Sequence, residues 1–148
     1  EDNITVTEDS ILLCPEYEGY YYTIELNGWN DGVFDVIIIG QDSNFLYYQK
    51  SDKEKLFYGM LGKQYITSVS KTKKIKTMPQ IREVNKSYFV DKHVKLEVAH
   101  KVGIIKGFFD FSNDDYLDVV IKQFAEMTLD LDFGRKIEIN KVTKIEEL

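Results

Sequence analysis

Apolar and polar positions alternate with a period near two over most of this chain, the spacing of half-buried strands. Residues 20–26, 33–39, 45–49, 64–70, 94–99 and 103–111 read as strands, as do shorter stretches at 4–7, 10–14 and 86–91. Asn27-Gly28 and Asp31-Gly32 are turn signals, and they predict a loop that carries Trp29. The lysine-rich stretch 71–81 reads as an exposed hairpin arm or loop, and residues 136–145 alternate again as a closing strand.

Two places break this period. Ser51-Asp52-Lys53-Glu54 sets a Ser three residues before a Glu. That capping-box pattern predicts a short helix near 52–61, stopped by Gly62. Ser112-Asn113-Asp114-Asp115 is dense in N-cap residues, and Tyr116, Leu117, Val120, Ile121, Phe124, Met127 and Thr128 then recur at helical spacing. This predicts one long helix over about 114–129, lying on the sheet because a lone helix cannot bury its own apolar face. The expectation is an α+β fold: a mainly antiparallel sheet of roughly six to nine strands, one long helix and one short one.

Length and composition place this pattern in a single globular domain, 1–148. The chain is 43% hydrophobic and 30% charged, the composition of a folded, soluble domain. The longest aliphatic run, Val36–Ile39, is far short of the roughly 20 residues of a membrane helix, so no membrane association is expected. Alanine occurs only at Ala99 and Ala125, while Ile, Val, Tyr and Phe abound, which weights the whole chain toward strand. Cys14 is the one cysteine, which excludes an intrachain disulfide and any cysteine-rich metal site. Lying between Leu13 and Pro15 without a basic neighbour, it reads as a buried thiol rather than a nucleophile. The first residue is Glu1, as in a trimmed or processed chain. A cytoplasmic location is expected, with a processed secreted or periplasmic form as the alternative.

Motifs of known chemistry fail on inspection. Asp132-Phe133-Gly134 spells a kinase metal-binding triplet, but the phosphate loop and catalytic loop that must accompany it are missing, so it reads as a turn in which Gly134 supplies positive φ. The run from Asp110 to Asp118 begins like a calcium loop, then has Asp115 where Gly belongs and Ile121 where the bidentate Glu belongs. His93 and His100 are the only histidines, and there is no Gly-x-Ser-x-Gly elbow or Walker loop. No catalytic residue, metal or cofactor is expected.

Charge and aromatics carry the functional expectation. Residues 1–62 hold 12 acids and 3 bases, residues 63–86 hold 1 acid and 7 bases, and residues 110–132 hold 7 acids and 1 base. The net charge of −6 opposes nucleic acid and favours a basic partner. Tyr20-Tyr21-Tyr22 and Tyr47-Tyr48 sit on strands, where successive side chains point to opposite faces, so one of each group is expected outside and available as an interface anchor. In size, charge and lack of catalytic motifs the chain is similar to the immunity proteins that neutralise bacterial toxins, a likeness that covers no specific motif. It implies a non-enzymatic inhibitor, monomeric or weakly dimeric, facing a basic toxin or nuclease domain. Asp110, Asp114, Asp115 and Asp118 would supply charge, and Trp29, Tyr21 and Tyr47 the contact area. Two alternatives stand beside it. One is a ligand pocket between helix and sheet lined by Phe108, Phe109, Phe111, Phe124 and Phe133; the other is a hydrolase assembled in space from acids and His93 or His100.

Overall fold

The computed structural model describes residues 3–4, 19–27, 32–76, 84–99, 104–106 and 117–148, with 3–4 and 104–106 placed by their backbone. Twelve strands are seen among them: β1 (Asn3–Ile4), β2 (Tyr20–Leu26), β3 (Val33–Gln41), β4 (Phe45–Asp52), β5 (Lys55–Gly62), β6 (Ile66–Lys74), β7 (His93–Val98), β8 (Ile104–Lys106), β9 (Leu117–Phe124), β10 (Thr128–Leu131), β11 (Lys136–Glu138) and β12 (Val142–Glu147). They hydrogen-bond in the order β1-β6-β2-β3-β4-β5-β12-β7-β9-β10-β11-β8, and every ladder is antiparallel.

That order contains one connection scheme twice. In the run β6-β2-β3-β4-β5 the last strand in sequence returns to lie beside the first. β5 and β6 stand at opposite ends of the run yet are joined by only a three-residue 3-10 turn, Lys63–Tyr65. The run must therefore curl until its ends meet. The run β12-β7-β9-β10-β11 repeats this, with β11 joined to β12 by the 3-10 turn Ile139–Lys141. The two turns match in backbone: the residues before them, Gly62 and Glu138, have φ/ψ of −68°/117° and −63°/125°, and those after them, Ile66 and Val142, have −78°/124° and −76°/120°. Five strands with the fifth in sequence beside the first thus occur twice in this chain.

Each curled run encloses a core. The first holds Tyr22, Ile24, Val36, Leu46, Tyr48, Leu61 and Val69. The second holds Phe45, Tyr47, Met60, Phe89, Leu96, Val119, Ile121, Leu129, Ile137 and Ile145. Neighbours along β4 and β5 fall into different cores: Leu46 and Tyr48 in one, Phe45 and Tyr47 in the other. The central strands β4, β5 and β12 are thus covered on both faces, and 45–49, 58–62 and 142–146 are buried without a break.

The expected α+β fold is corrected to an antiparallel all-β one, since neither helix forms. The stretch 52–61 is the β4–β5 hairpin, paired without a slip from Phe45↔Gly62 to Asp52↔Lys55. Its two turn residues, Lys53 and Glu54, both have positive φ (50° and 70°), the type I′ geometry whose twist suits a hairpin. Ladder pairing and two-sided burial outweigh the cap signal. Of the helix expected over 114–129, Leu117–Phe124 is β9 and Thr128–Leu131 is β10, while 114–116 lie outside the described residues. Leu117, Val119 and Ile121 are buried and Asp118 and Lys122 exposed, a period of two, and the β-branched run Val119–Ile121 suits it. Among the described residues no helix lies on the sheet, and Phe108, Phe109 and Phe111, expected to line a pocket beneath one, lie outside those residues. Two smaller corrections follow: residues 86–89 form a 3-10 turn rather than a strand, and β6 carries the lysine-rich stretch as ladder through Lys74.

Candidate functional site

Where the two curled runs join, a polar cluster spans three strands. Tyr48 on β4, Gly59 on β5 and Glu146 on β12 stand side by side in register. Because Gly59 has no side chain, the Tyr48 ring lies across it, and its hydroxyl donates to Glu146 Oε2. Lys50 Nζ donates to Glu146 Oε1 at 2.8 Å, and beside it Lys144 Nζ lies 2.9 Å from Glu97 Oε2, both ends nine-tenths buried. Burial pushes the Tyr48 hydroxyl well above its ordinary value, and the charges of Glu146 and Glu97 push the same way, so it stays a neutral donor. Burial also raises the Glu146 carboxyl, but the hydrogen bonds from Lys50 and Tyr48 and the charges of Lys50 and Lys144 overcome it and hold the group below 4.5. Charges in this cluster balance, and neither cavity described below includes its members. It forms the seam of the fold.

The surface offers a different feature. Between β10 and β11 the chain turns at Asp132-Phe133-Gly134. Phe133 there has φ 59° and ψ 27°, a left-handed conformation that is an outlier for a bulky residue, and its side chain is 89% exposed. An Asp–Arg clamp braces the turn. Arg135 Nη2 donates to Asp132 Oδ1 at 2.5 Å, Arg135 Nε donates to the Asp132 carbonyl, and the guanidinium carbon lies 5.5 Å from the Phe133 ring centroid. At the other end of β10, Met127 is 70% exposed on the β9–β10 turn. Two bare apolar side chains thus bracket one short strand, whose own outward residue, Asp130, sits 3.9 Å from Lys136.

Beyond Met127 a cavity of about 300 Å³ opens where the two 3-10 turns meet. Phe45, Lys63, Gln64, Met127, Ile139 and Asn140 are among its lining residues, and the Asn140 carbonyl accepts from both Gln64 Nε2 and the Tyr65 hydroxyl. Among the described residues no group of three His, Cys, Asp or Glu side chains could share a metal ion, and no helix is long and apolar enough to cross a membrane. No family model, curated protein or solved structure matches this chain.

The residues singled out from sequence scatter. Asp110, Asp114, Asp115 and Trp29 lie outside the described residues, as do His100, Phe108, Phe109 and Phe111. Asp118 is exposed on β9 and pairs with Nε2 of His93, which lines neither cavity. Tyr21 is half-buried, with the Lys73 ammonium 5.3 Å from its ring centroid. Tyr47, expected outside, is only 1% exposed; like Tyr48 it is buried because β4 has a core on each face. Phe124 packs partly buried against the second core. Sequence reasoning places Phe133 only as a turn residue or pocket lining. A signal for its exposure is nevertheless present: an Asp-Phe-Gly turn closed by Arg135 between two strand patterns sets the aromatic at a tip.

Proposed function

We propose that this chain is a non-catalytic protein-binding domain that docks its partner on the β9–β11 lip, with Phe133 as the anchor. One observation carries the reading. A large aromatic is held in water, in a backbone conformation that costs about 1–2 kcal/mol, by a partly buried ion-pair clamp. Folding alone has no use for that arrangement, whereas interfaces concentrate their energy in such aromatics. Met127 extends the contact area, and its flexible thioether suits a shaped partner surface. The net charge of −6 supports a basic partner, as an inhibitor of a toxin or nuclease domain would meet. A cytoplasmic setting belongs to the same proposal, supported by the single cysteine, Cys14.

The test is a pair of opposed effects at one residue. Phe133→Gly should raise folding stability by up to about 1 kcal/mol, because glycine relieves the left-handed strain at some cost in chain entropy. The same change should weaken partner binding by about 30-fold or more, the usual loss at an aromatic hot spot. Tagged wild-type and Phe133→Gly chains are to be compared in pull-downs from host lysate at low and high salt, with urea melts run in parallel. Equal recovery of a basic protein by both chains would sink the proposal.

A further inference from the structure

A second cavity, of about 420 Å³, lies at the far end of the β3–β4 hairpin. Gly40 and Gln41 of β3, Asp42, Tyr47 of β4, and Val84 and Asn85 line it. Its chemistry is acceptor-rich. Asp42 Oδ1 accepts from the backbone N–H groups of Asn44 and Phe45 at 2.9 and 2.7 Å, and Oδ2 accepts from the Tyr47 hydroxyl at 2.5 Å. These three bonds fix the carboxylate but do not neutralise it, and no ammonium or guanidinium among the described residues pairs with it. A carboxylate has about four acceptor positions, so one remains open. Beside it Gln41 Oε1 is buried with no hydrogen-bond partner. Asn85 Oδ1 is a third oxygen, turned to the Ser87 N–H and hydroxyl. Gln41 Oε1 has no surface open to the cavity, so the acceptor that a ligand meets there is the Asp42 carboxylate.

We propose that this cavity binds an organic cation, an alkylammonium or guanidinium group, with Asp42 supplying the charge. Tyr47 closes the wall and aims the carboxylate. Burial, aided by the hydrogen bond to Asp42, pushes the Tyr47 hydroxyl far above its ordinary value, so that hydroxyl stays a donor committed to Asp42. One carboxylate with amide oxygens is a poor match for a divalent metal, which gathers several charged ligands. Multiple N–H donors on one positive group fit the Asp42 carboxylate better. The cation could be a free small amine or the Lys or Arg side chain of a polypeptide. The site is separate from Phe133, so it stands or falls apart from the docking proposal.

The test follows the backbone amides of Gly40, Gln41 and Asp42 by NMR in the full chain. Nα-acetyl-arginine amide and Nα-acetyl-lysine amide are titrated, with the neutral isostere Nα-acetyl-citrulline amide and calcium chloride as counter-probes. Saturable shifts with at least one cation and none with citrulline are expected. Asp42→Asn keeps the turn's acceptor but not the charge, and should weaken binding about tenfold. Gly40→Val gives a route that leaves Asp42 intact: a Cβ at Gly40 meets only the Val84 carbonyl, at 3.7 Å, so added bulk fills the cavity and should abolish binding. A peptide with a central arginine that binds more tightly than the capped arginine places the cation on a polypeptide, and equal affinity places it on a free amine. Citrulline binding as well as arginine, calcium displacing the cation at the same residues, or unshifted signals of these amides with every probe would each overturn the proposal.

Discussion

Glu146→Ala should lower folding stability by about 3 kcal/mol, the low end of the range for breaking a buried ion pair. The low end applies because one partner has an escape: the Lys50 side chain is about one-third exposed and can turn to water. Tyr48 has none, since it is fully buried and its hydroxyl loses its acceptor. Lys144 keeps Glu97. Glu146→Gln should cost less, about 1–2 kcal/mol, because an amide oxygen can still accept from Tyr48. Urea melts measure both, and the loss from Glu146→Ala should shrink in a Tyr48→Phe background, where no hydroxyl is stranded. Equal losses in the two backgrounds would mean that the Tyr48–Glu146 bond carries no stability.

The same carboxyl sets a pH dependence. Its value in the folded protein lies below the ordinary 4.5, so the folded state favours its charged form. The stability this contributes is complete above the ordinary value and is lost as pH falls through the lowered one. Wild type and Glu146→Gln should therefore differ most near neutral pH and converge as pH falls through the lowered value. A gap that widens on acidification would show that the sign is wrong.

Gly59→Ala should be as damaging for a steric reason. A Cβ there would lie 2.3 Å from Cζ and Oη of Tyr48, well inside contact distance. The ring has nowhere to retreat, with its hydroxyl held by Glu146 and no exposed surface. Overpacking of this kind costs about 1–3 kcal/mol, and displacing the hydroxyl from Glu146 adds to it. A leucine side chain in place of Tyr48 stops short of the clashing atoms. In a Tyr48→Leu background Gly59→Ala should therefore cost less than about 1 kcal/mol, a non-additivity read from four melts. If Gly59→Ala costs the same whether tyrosine or leucine lies opposite, the close approach is not the reason for glycine.

How much of this is legible beforehand varies along the chain. Tyr20–Leu26 announces itself, since it alternates between a covered and an open face. β4 and β5 do not alternate in burial, because a core lies on each side of them. Alternation therefore puts Tyr47 outside, although it correctly reads Tyr47-Tyr48 as extended chain. The β9–β10 hairpin is misread because Leu117, Val120, Ile121, Phe124 and Met127 fit a helical stripe by spacing alone. In the structure Met127 is a solvent-exposed turn residue and Val119, absent from that stripe, is core. The candidate surface is hidden for a related reason: by sequence Phe133 reads as a turn residue or pocket lining, and the backbone at Asp132-Phe133-Gly134 turns it outward.

By itself the sequence determined a strand-rich chain without catalytic or metal motifs, with an acidic balance and turns at many of its glycines. Those follow from local terms: alternation, β-branching, turn chemistry and charge. Tertiary structure alone decided that the strands curl into two runs of the same connectivity, that Tyr48 donates a hydrogen bond to Glu146, ninety-eight positions away, and that Gln41 and Asp42 line a cavity with Tyr47 and Asn85. The duplication leaves no visible repeat in sequence because it resides in strand order and in two matching turns, and many apolar side chains can fill the same core. Long-range pairing carries no local mark, since a strand reads the same whichever strand it pairs with. The partner is chosen by which faces can be buried together.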